Sequence, residues 1–174
     1  MKPITCIQFI LGILLMTISL ANAQDTGVLH LRPLHLELPA TWKFDGTKTP
    51  IEGTGPDGEK LLISIMRRRT EASASTPPVT EAAKAFARER MTQISASEGK
   101  TIIRAVSEFP THEGKVAFSA GSEKSGVFSG DRYFIQYLLA SDSALFYLTV
   151  EGKGKASPML ERFDLIISKQ QWDN

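Results

Sequence analysis

The sequence is poor in the residues that most often carry chemistry. Of 174 residues, one is cysteine and three are histidine. Cys6 precedes the apolar run near the N-terminus instead of sitting at a cleavage point after it, which argues against lipidation there. Beyond residue 23 there is no cysteine, hence no disulfide and no thiolate ligand. His30, His35 and His112 match no HExxH spacing, so a zinc site would need remote positions brought together. His30 and His35 are five apart, which puts them on one face of neither a strand nor a helix. His35 and Glu37 share a strand face and, with His112, are the only residues that suggest a metal or acid–base cluster. Neither sign of charge dominates: 20 Lys and Arg face 19 Asp and Glu. A nucleic-acid partner, which calls for a basic excess, is therefore not expected.

Long hydrophobic runs are also scarce. The one present covers residues 7–20, behind Lys2 and ahead of Ala21-Asn22-Ala23, a small-x-small pattern read by signal peptidase. Its length is short of the roughly 20 residues that span a bilayer. Residues 1–23 are thus expected to be a cleaved signal peptide, with the cut between Ala23 and Gln24, delivering a mature chain without a transmembrane segment to the periplasm. Lys2 is the only charge lost with it, leaving 19 of each sign. A mature chain of about 150 residues buries roughly 70% of its unfolded surface and needs no covalent staple.

Familiar catalytic motifs fail on inspection. Gly99-Lys100-Thr101 matches the tail of a P-loop, but Ile94 stands where its first glycine belongs. Gly126-Val127-Phe128-Ser129-Gly130 misplaces the serine of a nucleophile elbow and lacks the strand–turn–helix setting. Asp57, Glu59 and Asp131 flank turns, and surface acids there are the default, not a glycosidase pair across a cleft. No cofactor site emerges.

What is present is a pattern of strands. Residues 24–33 read as a flexible lead-in and 34–174 as the folded domain. Residues 34–38 alternate apolar and polar as a strand with one buried face. Pro39 ends it, and 39–44 bend Trp42 back over the core edge. A weak strand at 49–55 joins a strong one at 60–67 across Gly55-Pro56-Asp57-Gly58. Leu61 to Met66 is apolar on both faces, which predicts a strand inside a covered sheet. After a loop over 67–78 the period turns helical. Thr80 is the expected N-cap, and Val79, Ala83, Phe86, Ala87, Met91 and Ile94 make one stripe. Strands follow at 102–109 and 115–120, a polar connection at 122–130, and a hairpin of 133–140 and 144–151 turning at Ser141-Asp142-Ser143. The closing helix begins at Ser157-Pro158, read as cap and first helical residue. Leu160, Phe163, Ile166 and Ile167 form its apolar face, with Glu161, Arg162, Lys169 and Gln170 toward water. Short connections force antiparallel neighbours. The sum is an α+β fold: a three-layer α/β/α sandwich, its central sheet of about six to seven mainly antiparallel strands carrying one helix on each face.

This order, with Leu38-Pro39-Ala40-Thr41-Trp42 after the opening strand, the Gly-Pro-Asp-Gly-Glu hairpin, and a last helix holding Phe163-Asp164 before Trp172, resembles the PsbP-like domains. These include the photosystem II extrinsic protein, the Ran-binding Mog proteins and many small exported bacterial proteins. The resemblance spans residues 34–172. It implies a non-enzymatic accessory domain that docks to proteins or holds envelope components, and it transfers no site residue.

Two cationic groups are the candidate contacts. Arg67, Arg68 and Arg69 form the one charge run, suited to phosphate or carboxylate. Lys153 and Lys155 precede the last helix, whose free amides favour an anion. The expected function is an exported, non-enzymatic binding protein of the cell envelope with a protein or envelope component as partner. Alternatives are a carrier holding a lipid between helix and sheet, lined by Tyr133, Tyr137, Tyr147, Phe128, Phe134 and Phe146, and an immunity-type inhibitor of an exported toxin. A hydrolase using His35, Glu37 or His112 ranks last.

Overall fold

The computed structural model describes residues 26–68, 78–97, 99–126 and 130–173. The leader and its cleavage point at Ala23 and Gln24 lie outside these residues, as do Arg69 and Phe128.

The organising element is the hairpin of β8 (Arg132–Ala140) and β9 (Ala144–Lys153), paired from Arg132↔Lys153 to Ala140↔Leu145. Its turn is closed by Ser141, whose N–H reaches the Ala144 carbonyl at 2.9 Å and whose hydroxyl accepts the N–H groups of Ser143 and Ala144. On either side the sheet extends through β5 (Lys60–Arg67), β4 (Ile51–Thr54) and β3 (Lys43–Asp45), and through β7 (Val116–Lys124) and β6 (Thr101–Glu108). The order is β3-β4-β5-β9-β8-β7-β6, and every neighbour is antiparallel.

Because side chains alternate along a strand, the hairpin presents two apolar faces. Tyr133, Ile135, Tyr137 and Leu139, with Phe146, Leu148 and Val150, meet Leu160, Phe163, Ile166 and Ile167 of the C-terminal helix, Ala156–Ser168. Leu138, Ala140 and Leu145 meet Ala83, Ala87 and Met91 of a mid-chain helical run over 79–95. Both sides of β8 are buried from Ile135 onward. Each fully buried Leu, Ile or Phe contributes about 1.5–3 kcal/mol, so the two faces together dominate the stability. The fold is the expected α+β arrangement, with one helix on each side of the central antiparallel sheet.

The mid-chain run is not uniformly α-helical. Ala87–Met91 forms a π turn, and the Thr92 hydroxyl donates to the Ala87 carbonyl at 3.2 Å across it. Its N-cap is Pro78, with no side-chain hydrogen bond, instead of Thr80. Inside, Ser95 Oγ lies 3.1 Å from Gln136 Oε1, and the Gln136 amide donates to the Tyr147 hydroxyl, so the polar groups under this helix satisfy one another.

Three features depart from the sequence pattern. First, Leu34–Pro39 (β2) does not join the main sheet. It pairs with β1 (Thr26–His30) and with β10 (Gln171–Trp172) in a separate three-stranded sheet. The lead-in expected to be flexible thus contains a strand, and Trp172 is held in a ladder instead of merely closing the chain. Leu34, Leu36 and Leu38 are buried on the same side as the C-terminal helix. Second, β5 is interior to the sheet yet covered on one face only. Leu61 and Ile63 are buried, whereas Met66 is 53% exposed; the mid-chain helical run packs mainly over β6, β7, β8 and β9. Third, β7 continues to Lys124, through residues that looked like a connection. Gly121 on that strand admits the Leu160 side chain, whose Cδ1 would stand 2.9 Å from a Cβ there.

The chain contains three tyrosines, and all are shifted upward: burial pushes Tyr133 and Tyr147 up to about 12 and Tyr137 higher still. A native pKa above the unfolded value of about 10 stabilises the fold fully below pH 10 and progressively less above it. Absorbance titration of the phenols is therefore expected to show no ionisation at its ordinary midpoint, only a rise near pH 12 coincident with unfolding. A phenol titrating reversibly at pH 10 in folded protein contradicts this packing.

Candidate functional site

The end of the hairpin opposite its Ser-Asp-Ser turn holds a recess of about 360 Å³, lined by Asp57 and Glu59 from the β4–β5 turn, Tyr133 from β8, Lys153 at the end of β9 and Lys155 just beyond it, and Pro158, Met159 and Arg162 of the C-terminal helix. Local chemistry places each group. Tyr133 pairs with Gly152, and the missing side chain there lets the phenol lie across the neighbouring strand. Gly55-Pro56-Asp57-Gly58 turns tightly, with Gly58 at φ +80°, where glycine is favoured. Glu59 is pulled inward by that turn: its Oε2 accepts the Asp57 N–H at 2.9 Å, and it is 5% exposed. The surface role expected for Glu59 is thus replaced by a buried one.

Arg162, expected to face water, is half-buried, and its Nη1 stands 4.0 Å from Glu59 Oε1. That is an ion pair at the limit of contact and longer than a hydrogen bond. The Tyr133 hydroxyl is buried without a hydrogen-bond partner. Burial raises its pKa first, then the Glu59 charge, against the pull of Arg162, so the hydroxyl lies among the charges of the recess.

The two lysines behave differently. Lys155 Nζ is 2.7 Å from Asp131 Oδ2 and 3.3 Å from Glu123 Oε2. The hydrogen bond to Asp131, then that to Glu123, raises the ammonium pKa; Lys155 and then Ser125 lower that of Asp131. Lys153, by contrast, has no ion pair among the described residues. The first amide of the C-terminal helix, on Ala156, donates to Glu123 Oε1 at 2.7 Å. An internal carboxylate therefore caps the helix in place of Ser157, and it takes part of the anion position expected there.

The arginine run lies elsewhere. Arg67 pairs with Ala144, and Lys60, at the other end of β5, pairs with Glu151, so the two cationic groups are separated by most of β9, roughly 30 Å. Arg67 Nη2 donates to the carbonyls of Leu31 at 3.1 Å and Arg32 at 3.2 Å, which pins the β1–β2 turn. Arg68 is exposed, and its N–H binds the Ser143 carbonyl.

The histidines are brought together in a way their spacing concealed. His30 and His35 stand opposite each other across the β1–β2 hairpin, Nδ1 to Nδ1 at 2.7 Å, and His35 Nε2 is 2.6 Å from Asp173 Oδ1. His35 thus bridges the His30 ring and the Asp173 carboxylate through its two nitrogens. Glu37 lies farther along the ladder opposite Val28, and His112 Nε2 meets the Gln170 carbonyl at 3.1 Å. Among the described residues no cluster of three or more His, Cys, Asp or Glu is placed to hold a metal ion. The aromatics considered for a lipid cavity are largely core: Tyr137 and Phe146 are fully buried, Tyr137 against Phe163 and Phe109 and Phe146 against Trp172.

A central antiparallel sheet clasped between a mid-chain and a C-terminal helix gives the molecule a PsbP-like fold. Cyanobacterial PsbP (CyanoP) of Synechocystis sp. PCC 6803 is similar in structure with a TM-score of 0.55 and 11% identity, over 91% of this chain and 99% of that one. Looser matches are a Bacteroides thetaiotaomicron protein (TM-score 0.49, 8% identity, 82% of this chain and 46% of that one) and a Pseudomonas aeruginosa protein of unknown function (0.43, 14%, 83% and 94%). No family model and no curated protein matches at the level of sequence. No helix among the described residues is long and apolar enough to cross a membrane.

Proposed function

We propose that this is an exported, non-enzymatic accessory protein, delivered to the periplasm by residues 1–23, that binds a protein or envelope component. The observation that carries the reading is how the acid and base side chains are spent. His35 is held between His30 and Asp173, His112 sits on a backbone carbonyl, and Lys155 bridges Asp131 and Glu123. These are structural bonds that fix the β1–β2 hairpin and the two ends of the last helix, and the PsbP-like fold suits a docking role.

The exposed cations are the proposed contact. Capture from envelope extract on immobilised full-length mature protein is expected to enrich one component reproducibly. Charge reversal of Arg68 and Arg69, or of Lys153, separates the two ends of the sheet: the end that makes the contact loses most of the captured material, roughly a hundredfold or more in affinity for the two arginines and tenfold or more for the single lysine. Equal capture by both reversed proteins would retire the cationic contact, and recovery of nothing above control under several conditions would retire the binding role.

A further inference from the structure

The recess at the open end of the β8–β9 hairpin contains more binding potential than the fold uses. Its floor is Tyr133, 3% exposed and with its hydroxyl unpartnered, and Glu59, 5% exposed with one oxygen engaged by the Asp57 N–H. A buried hydroxyl without a partner is destabilising, and such groups are few in native proteins. The second Glu59 oxygen is met only by Arg162 at 4.0 Å. On the wall Lys153 has no counter-charge, while Lys155 is committed to Asp131 and Glu123. With Lys155 so assigned, the remaining lining charges are Asp57 and Glu59 of one sign and Lys153 and Arg162 of the other, with Glu59 and Arg162 side by side at 4.0 Å. A simple anion would suffer repulsion from the two carboxylates, and a simple cation from the lysine and arginine. Lined by both signs in close proximity, the recess is complementary to a ligand that itself carries both signs.

We propose that this recess binds a small zwitterion bearing an ammonium and a carboxylate, the chemistry of a free α-amino acid. The ammonium faces Glu59 and Asp57, the carboxylate is taken by Arg162 and Lys153, and the Tyr133 hydroxyl donates to that carboxylate. Pro158 and Met159 leave an apolar wall for the ligand's side chain. A volume of about 360 Å³ accommodates a ligand of that size. The inference does not depend on the docking role. Capture can fail while this site binds, and the site can be empty while capture succeeds.

The test is calorimetric titration of the full-length mature protein with L-alanine, L-methionine and L-glutamate, each beside its N-acetyl and amide derivatives. Saturable binding of at least one free amino acid is expected, with each derivative weakened roughly tenfold or more, because losing one charged hydrogen bond costs about 1.5–3 kcal/mol. Tyr133→Phe and Lys153→Met leave packing largely intact and are expected to weaken binding several-fold. Arg162→Met and Glu59→Gln should nearly abolish it. Three results would overturn the proposal: no saturation by any free amino acid at about 10 mM, where affinity is only a few kcal/mol; equal binding of acetate and the free amino acids; or unchanged affinity in both Tyr133→Phe and Lys153→Met.

Discussion

Phe163→Ala is expected to lower the unfolding free energy by about 3–5 kcal/mol, the usual cost of emptying a large aromatic site in a core. Phe163 is fully buried at the centre of the C-terminal helix's apolar face. Its ring meets Trp42 edge-on at 5.8 Å and lies nearly parallel to Tyr137 at 6.3 Å. Three elements distant in sequence therefore lose contact together: the β2–β3 bend, the hairpin and the helix. Against a total of about 5–15 kcal/mol the loss is a large fraction of what holds the domain. For a domain of this size the thermal midpoint should drop by about 10 °C. Differential scanning calorimetry measures it, and a drop of under about 2 °C would mean the helix is not seated on the sheet as described.

The second large effect is expected at Asp164. Its carboxylate receives Arg104 through two hydrogen bonds of 2.8 Å and the Tyr137 hydroxyl at 2.6 Å, tying edge strand β6 and central strand β8 to the C-terminal helix. The ion-pair partners are 29% and 27% exposed, between the fully buried and the solvent-screened cases. Asp164→Ala should thus cost about 2–3 kcal/mol, less than the 3–5 of a fully buried pair and more than a surface one. Burial pushes the Asp164 carboxyl up, but the hydrogen bonds from Arg104 and Tyr137 and the arginine charge outweigh it, leaving the group below the ordinary carboxylate value. Its contribution is therefore present above about pH 4 and lost as pH falls through the native value. In urea unfolding at neutral pH and at about pH 3, Asp164→Asn should be clearly less stable than the parent at the higher pH. The gap should narrow at the lower pH, and a constant gap would exclude this linkage.

Much of the architecture was legible because it rests on local periodicity. The β8–β9 hairpin, the stripe of Ala83, Ala87 and Met91, and the face of Leu160, Phe163 and Ile167 all follow from side-chain alternation or helical spacing. Most of the misreadings arise where the decisive partner lies far away in sequence. Ser157-Pro158 carried a local capping signal, yet Glu123, thirty-three residues before the Ala156 amide it accepts, supplies the cap. Glu59 looked like a surface acid because a turn position gives no sign that the Asp57 N–H draws its carboxylate inward. Arg162 and Gln170 looked solvated because helical spacing does not reveal Glu59, or the Thr111 hydroxyl that receives the Gln170 amide. His30 and His35 seemed unrelated until β1 formed, and no strong strand pattern marked Thr26–His30. The charged recess was half visible: Lys153 and Lys155 were found from their place before a helix, but Tyr133, Glu59 and Arg162 meet them only through strand register.

Native-state amide hydrogen exchange tests the clasped hairpin most directly. With a helix on each side, the amides of residues 135–139 in β8 and 145–149 in β9 should be the slowest in the protein and should open only with global unfolding. Protection should not differ between residues facing the C-terminal helix, such as Tyr137 and Phe146, and those facing the mid-chain helix, such as Leu138 and Leu145. Fast, sub-global exchange across this hairpin while the outer strands stay protected would contradict it.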